Sequence, residues 1–179
     1  MKVVCFDTET TGLVENRTRA LERQPEIIEF YGCVASLVTG KVSYEVDVLI
    51  KPSTMPLEEH TTKITGIKTE DLTEAPSFGE IAPQIEDLFS RAKVAIAHNA
   101  TFDRDMLEIE YQRLGRVLTL PSRLLCTVEQ TNHIKGHRLS LSALHEHLFG
   151  EVFSGAHRAK EDVRALLRCA VELRKRDML

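Results

Sequence analysis

The sequence predicts an α/β domain built on a mixed sheet. Three observations carry that expectation. Short apolar segments rich in β-branched residues fill much of the first 50 residues. A turn signal, Thr39-Gly40-Lys41, joins two of them. Further along, strand-like and helical apolar spacings alternate, the pattern of helices packed on a sheet.

Taken in order, Val3 to Phe6 reads as a buried strand. Residues 14–24 are polar, carry Arg17, Arg19 and Arg23, and read as a loop where arginines could meet phosphate. Ile27 to Leu37 and Val42 to Ile50 are the next two strands. Residues 51–79, rich in Pro, Thr and Glu, read as irregular with room for one short helix. Ile81, Ile85, Leu88 and Phe89 fall at helical spacing, and Val94 to Ala97 is a fourth strand. Phe102, Met106, Ile109 and Tyr111 mark a helix that Gly115 terminates. Leu124 to Cys126 gives a fifth strand. Leu141, Leu144 and Leu148 form a helix ending near Gly150. Val163, Leu166, Leu167, Ala170 and Val171 make the clearest helical stripe of the chain.

Composition narrows the class. At 179 residues, folding hides about 70% of the surface of the extended chain, enough for one core, so residues 1–179 are expected to form a single domain. With 42% hydrophobic and 28% charged residues and no internal repeat, the chain is neither disordered nor fibrous. No apolar run approaches the ~20 residues that span a bilayer, so no membrane partner is expected. Asp7 comes too early for a signal peptide. The cysteines at 5, 33, 126 and 169 form no close pair, which argues against a zinc or disulfide scaffold and for a reducing cytoplasm. A net charge of −4 excludes a strongly basic nucleic-acid binder but not a local basic patch.

Three segments carry chemistry. In Phe6-Asp7-Thr8-Glu9-Thr10-Thr11-Gly12-Leu13, Asp7 and Glu9 are two apart and share one face of a strand. Two close carboxylates repel and both ionise only beside a cation. In His98-Asn99-Ala100-Thr101-Phe102-Asp103, a strand ends and a helix begins with an acid in its first turn, which suits the helix dipole on its own account. His98 and Asn99 are read as tying down that turn. In His157-Arg158-Ala159-Lys160-Glu161-Asp162, Asp162 lies at the edge of the buried helical face. His157 is five residues earlier, about 500° around a helix, so it belongs on a loop ahead of it. Each segment alone has a plain structural reading. Together they bring four carboxylates and one histidine to the ends of three elements. Subtracting the four acids from 27 leaves 23, equal to the bases, so two divalent cations would neutralise the chain. Hard cations such as Mg²⁺ take such oxygen ligands.

These three segments, in this order and spacing, resemble the motifs of the DEDDh 3′→5′ exonucleases, the group of the bacterial proofreading subunit, ribonuclease T and oligoribonuclease. The resemblance covers nearly the whole chain. It implies a ribonuclease H-like three-layer domain, with a mixed five-stranded sheet flanked by helices, and two Mg²⁺ or Mn²⁺ ions. It assigns Asp7, Glu9, Asp103 and Asp162 as metal ligands and His157 as general base. Substrate contacts are expected from Thr10 through its backbone, from Leu13 as a wedge on the base, and from Ile64 and Asn99. For Leu13 a core position is an equal alternative. Lys135, His137, Arg138, Arg158 and Lys160 could supply a basic surface. The chain departs from many proofreading relatives at Thr65, where they carry a histidine that meets substrate. The implied activity is removal of 5′-mononucleotides from the 3′ ends of single-stranded DNA. RNA-end trimming and service as a proofreading subunit bound to a DNA polymerase are the alternatives.

Overall fold

The computed structural model describes residues 1–14 and 16–179. Residue 15 of the expected 14–24 loop lies outside the described residues. Strand β1 (Lys2–Thr10) outlasts its apolar run because residues 7–10 stay paired with its antiparallel neighbour. It is antiparallel to β2 (Ile27–Ser36) and parallel to β4 (Val94–Ala97). With β3 (Val42–Leu49) and β5 (Arg123–Cys126) the order is β3-β2-β1-β4-β5, the expected mixed five-stranded sheet. The Thr39-Gly40-Lys41 turn closes β2 onto β3, with Gly40 at φ +71° and its N–H on Ser36 O at 2.8 Å.

Alternation along β1 assigns its side chains to two layers. Val4 and Phe6 face α2 (Phe78–Ser90) and α3 (Ala100–Arg113), packing with Ile85, Leu88, Phe89, Met106 and Tyr111. Val3 and Cys5 face α6 (Ala159–Lys175) and pack with Val163, Leu166 and Ala170. Helices therefore cover both faces of the sheet. The predicted stripe of α6 is the set of residues that seats it. Helix α5 (Leu141–Phe149) adds Leu144 and Leu148 against Cys169 and Leu173. Its ends follow local rules: Ser140 Oγ accepts the Ala143 N–H, and Gly150 closes it at φ +73°.

Two stretches are more ordered than their composition implied. Residues 51–79 contain the one short helix expected there, α1 (Glu59–Thr65), and beyond that a 3₁₀ turn (Thr69–Leu72). Ile67 and Leu72 anchor that region on Ile28, so a few apolar residues suffice to seat a polar segment. Helix α4 (Thr127–Thr131) is too short to show a period in sequence.

The 16–25 loop is fastened to α3. Arg17 pairs with Asp105 at 2.8 Å and with Glu108. Arg113 Nη2 donates to the carbonyls of Leu21, Gln24 and Pro25 at 2.9, 2.7 and 3.1 Å. Arg17 is thus committed to acids of the fold rather than held for phosphate. All four cysteines are free and buried. Among the described residues no helix is long and apolar enough to cross a membrane.

Gly32 sits where β2 passes under α2. A Cβ there would stand 2.4 Å from Leu88 Cδ2 and 3.1 Å from the Phe30 ring, and Leu88 is fully buried. Gly32→Ala should therefore lower the free energy of unfolding by about 1–3 kcal/mol, the usual scale of overpacking. Urea denaturation measures it, and an unchanged midpoint would contradict this packing.

Candidate active site

Because β1 and β4 run parallel, their C-terminal ends open on the same edge of the sheet. Asp7 and Glu9 leave β1 on the α6 side, with Asp162 in the first turn of α6. One carboxylate oxygen from each of Asp7, Glu9 and Asp162 lies within 4.8 Å of the others. Asp103, in the first turn of α3, approaches from the opposite side of β1. Its Oδ1 accepts the Thr8 N–H at 3.0 Å and the Thr8 hydroxyl at 2.9 Å. The fold therefore brings three of the expected ligands into one group and fixes the fourth beside them.

The electrostatics follow from that crowding. Burial, then Asp103, Glu9, Asp162 and Glu29, push the Asp7 carboxyl well above the ordinary range. Burial and the facing acids raise Glu9 to about 8. Asp103 is raised to about 7 by burial, against the pull of the Thr8 bonds. Asp162 is raised to about 6 by burial, opposed by the His157 N–H. An arrangement of acids that resist ionisation in the bare protein suits hard divalent cations, which favour oxygen ligands. The donor set therefore fits the metal that the sequence implied.

His157 is exposed, ahead of α6, as its spacing required. It adopts φ +68°, and its N–H donates to Asp162 Oδ2 at 3.0 Å. His98 is held differently. Its Nδ1 meets the Thr127 hydroxyl at 2.9 Å and its Nε2 meets Leu139 O at 3.1 Å. Burial lowers its pKa to about 4, so it is neutral near pH 7 and, as read from sequence, ties down the turn after β4.

Beside Glu9 is a cavity of about 290 Å³, lined by Thr8, Thr10, Leu13, Thr61, Ile64 and Phe102 among others. Leu13 is 76% exposed and Ile64 55% exposed, which removes the core alternative for Leu13. The Thr10 hydroxyl is used on Gly12 O at 2.7 Å. Thr65 spends its hydroxyl on Thr61 O at 2.9 Å, inside the C-terminal turn of α1. Asn99 is not brought to the cavity. It starts α3 at φ +66°, and its Oδ1 accepts from Arg138 at 2.7 Å. The basic surface is also smaller than expected. Arg158 is bound to Glu29 at 2.8 Å and Lys160 to Asp47 at 2.6 Å, while Lys135, His137 and Arg138 are exposed.

Sequence reasoning missed His60, Thr61 and Phe102 at the cavity. Phe102 carried a signal as the apolar residue beside Asp103, but it was absorbed into a helical stripe. His60 and Thr61 lay in a stretch with no apolar period. Glu29 was missed too, although a lone acid inside Ile27-Ile28-Glu29-Phe30 is visible in the sequence.

The family model described as Exonuclease, of the RNase T type, matches residues 4–170. This chain belongs to that exonuclease family. Over 174 residues it is 30% identical to a DNA polymerase III PolC-type of Caldanaerobacter subterraneus subsp. tengcongensis, covering 95% of this chain and 11% of that protein. It is 32% identical to the DNA polymerase III subunit epsilon of Pasteurella multocida over 150 residues, 81% of this chain and 56% of the subunit. The chain thus spans about half or less of these relatives. Among solved structures, the nuclease domain of 3′hExo, a DEDDh family member bound to rAMP, superposes with a TM-score of 0.81 at 16% identity. That match covers 98% of this chain and 92% of the other. Exonuclease X in complex with 5′ overhanging duplex DNA gives 0.65 at 20% identity, over 97% and 92% of the two chains. At these identities the structures establish the exonuclease fold, a mixed sheet between helices.

A carboxyl whose folded pKa exceeds its unfolded value withdraws stability as pH rises. That stability is intact below the unfolded pKa of about 4 and is lost by the folded pKa. With Glu9 at about 8, Asp103 at about 7 and Asp162 at about 6, the window runs from about pH 4 to pH 8. In chelator, the melting temperature should fall across the upper part of this window, and Asp7→Asn should shrink the fall. Saturating Mn²⁺ should remove it, because a ligand of the folded state stabilises that state. A chelated protein whose melting temperature climbs steadily towards pH 8 would contradict the cluster.

Proposed function

We propose that residues 1–179 act as one exonuclease domain that removes 5′-mononucleotides from the 3′ ends of single-stranded DNA. The observation that carries this reading is the meeting of Asp7 and Asp162 with Glu9, which itself lines a cavity that also holds the exposed apolar side chains of Leu13 and Ile64. At about 290 Å³ the cavity matches the lower limit of small-ligand sites, about 300 Å³, and so suits one terminal nucleoside rather than a run of them.

Asp7, Glu9 and Asp162 would hold divalent cations, Mg²⁺ or Mn²⁺, two in number, with Asp103 as the fourth ligand. When bound, such cations neutralise charge developing on the phosphate and favour hydroxide over water. The chain's own residues do the rest. Leu13, Ile64 and Phe102 pack on the terminal nucleoside, and the backbone of Thr10 lines the wall beside it. This fixes the scissile phosphate over the carboxylates and converts a bimolecular encounter into a positioned one. His157, exposed ahead of α6 with its N–H on Asp162, accepts the proton of the attacking water; imidazole is the side chain suited to that task near neutrality. Lys135, His137 and Arg138 meet backbone phosphates further along the strand, contacts that position without reading sequence. The four free, buried cysteines suit a cytoplasmic setting.

DNA is favoured because the relatives above are DNA polymerase III chains, and a DNA polymerase is accordingly the partner we propose. RNA is the competing substrate, because the 3′hExo nuclease domain is bound to rAMP. Digestion of 5′-labelled single-stranded DNA, duplex DNA and RNA with Mn²⁺ decides between them. The expected result is a ladder shortening from the 3′ side, fastest on single-stranded DNA, with release of 5′-mononucleotides. Circular single-stranded DNA should survive, since it offers no terminus. Rapid cutting of the circle by homogeneous protein would point to an endonuclease instead.

His157→Ala should lower kcat by about 10² to 10⁴, the range for loss of a general base. Binding of Mn²⁺ and of a DNA end should change little. His98→Ala should act through the melting temperature, because both ring nitrogens hold the fold together. A stable His98→Ala without activity, beside a His157→Ala with nearly full activity, would reverse the two roles.

A further inference from the structure

Glu29 is a buried acid, 2% exposed, near the start of β2. In the β1–β2 register it stands directly opposite Glu9, so the two side chains leave the same face of the sheet. A further carboxylate there is unfavourable, and Glu29 is among the charges that raise Asp7, Glu9 and Asp162. It is not one of the three whose oxygens come together. Both its oxygens are engaged elsewhere. Arg158 Nη2 donates to Oε1 at 2.8 Å, and Nε lies 3.2 Å from each oxygen. The Ala159 N–H donates to Oε2 at 3.0 Å.

Ala159 is the first residue of α6, and the residue before it, Arg158, makes no side-chain cap of its own. An N–H that the helix leaves without an internal partner is therefore satisfied from a strand across the layer. The same few residues carry the chemistry. His157 precedes Arg158 in a left-handed conformation, and its N–H is tied to Asp162. The stretch from His157 to Asp162 thus has two carboxylate ties, one internal and one to the sheet that bears Asp7 and Glu9.

We propose that Glu29 is a positioning residue that, through Arg158 and the Ala159 N–H, sets where His157 and Asp162 stand relative to Asp7 and Glu9. The seating of α6 is independent of the reaction, whereas its catalytic consequence rests on the proposed hydrolysis.

The test uses the full chain and the variants Glu29→Ala, Glu29→Gln, Arg158→Ala and the double alanine variant. Two readouts are needed. The first is amide hydrogen exchange without metal or nucleic acid. In Glu29→Ala, exchange over residues 157–162 should quicken about tenfold or more while residues 166–175 keep their protection, as expected of local opening. The second is hydrolysis of 5′-labelled single-stranded DNA with Mn²⁺. There kcat should fall about 10- to 100-fold, the scale on which a misplacement of about 1 Å acts. KM should stay within about threefold, marking a loss felt in the transition state. The double variant should lose no more than the worse single one, because both residues act through one contact. Glu29→Gln, which keeps an acceptor oxygen, should recover part of the rate. If Glu29→Ala fails to fold, Arg158→Lys carries the same readouts, since it keeps the charge and loses the fork. Unchanged exchange at 157–162, or faster exchange spread evenly along α6, would overturn the seating. Normal exchange together with full activity would do so while leaving the proposed hydrolysis standing. A wild type inactive on every nucleic acid would instead sink the hydrolysis and leave the exchange result to judge Glu29.

Discussion

Asp7, Glu9 and Asp162 carry like charge into one half-buried volume, and Asp103 adds a fourth charge from the other side of β1. Water is too scarce there to screen them, so the bare folded chain holds several of these acids above their ordinary pKa. Bringing them together is work done against repulsion, and packing elsewhere must supply it. The sheet does so by burying β1 and β2 almost completely between α2 and α3 on one face and α6 on the other. The site stands on the stiffest part of the molecule, which is where mutually repelling groups can be held in fixed geometry.

Around this cluster the polar contacts divide by task. Thr8 satisfies one oxygen of Asp103 twice, so that acid is aligned by the strand beneath it. Glu29 ties the start of α6 to the sheet, and Asp162 ties back the histidine before it. Arg17 and Arg113 bind the loop after Leu13 to α3, with Arg113 donating to the carbonyls of Leu21, Gln24 and Pro25. Among the described residues no buried side-chain nitrogen or oxygen lacks a hydrogen-bond partner. Leu13 and Ile64, both exposed, line the cavity beside Glu9.

Much of this was written in the chain before folding. The strands and the stripe of α6 were legible because burial on a sheet or a helix face imposes a period, and a period survives in one dimension. Asp7 and Glu9 were legible as a pair because a strand turns their spacing of two into a shared face. His157 was placed ahead of α6 for the complementary reason, that five residues do not return to one face of a helix. What the sequence could not carry were relations between segments far apart in the chain. Asp103 meeting Thr8 spans 95 residues, and Arg158 meeting Glu29 spans 129. No local period encodes such a meeting. Tertiary structure alone decided that Arg17, Arg158 and Lys160 are spent on acids of the fold, and that Asn99 faces Arg138. It also decided that His60, Thr61 and Phe102 join Leu13 at the cavity, because those contacts exist only once the two layers have closed on the sheet.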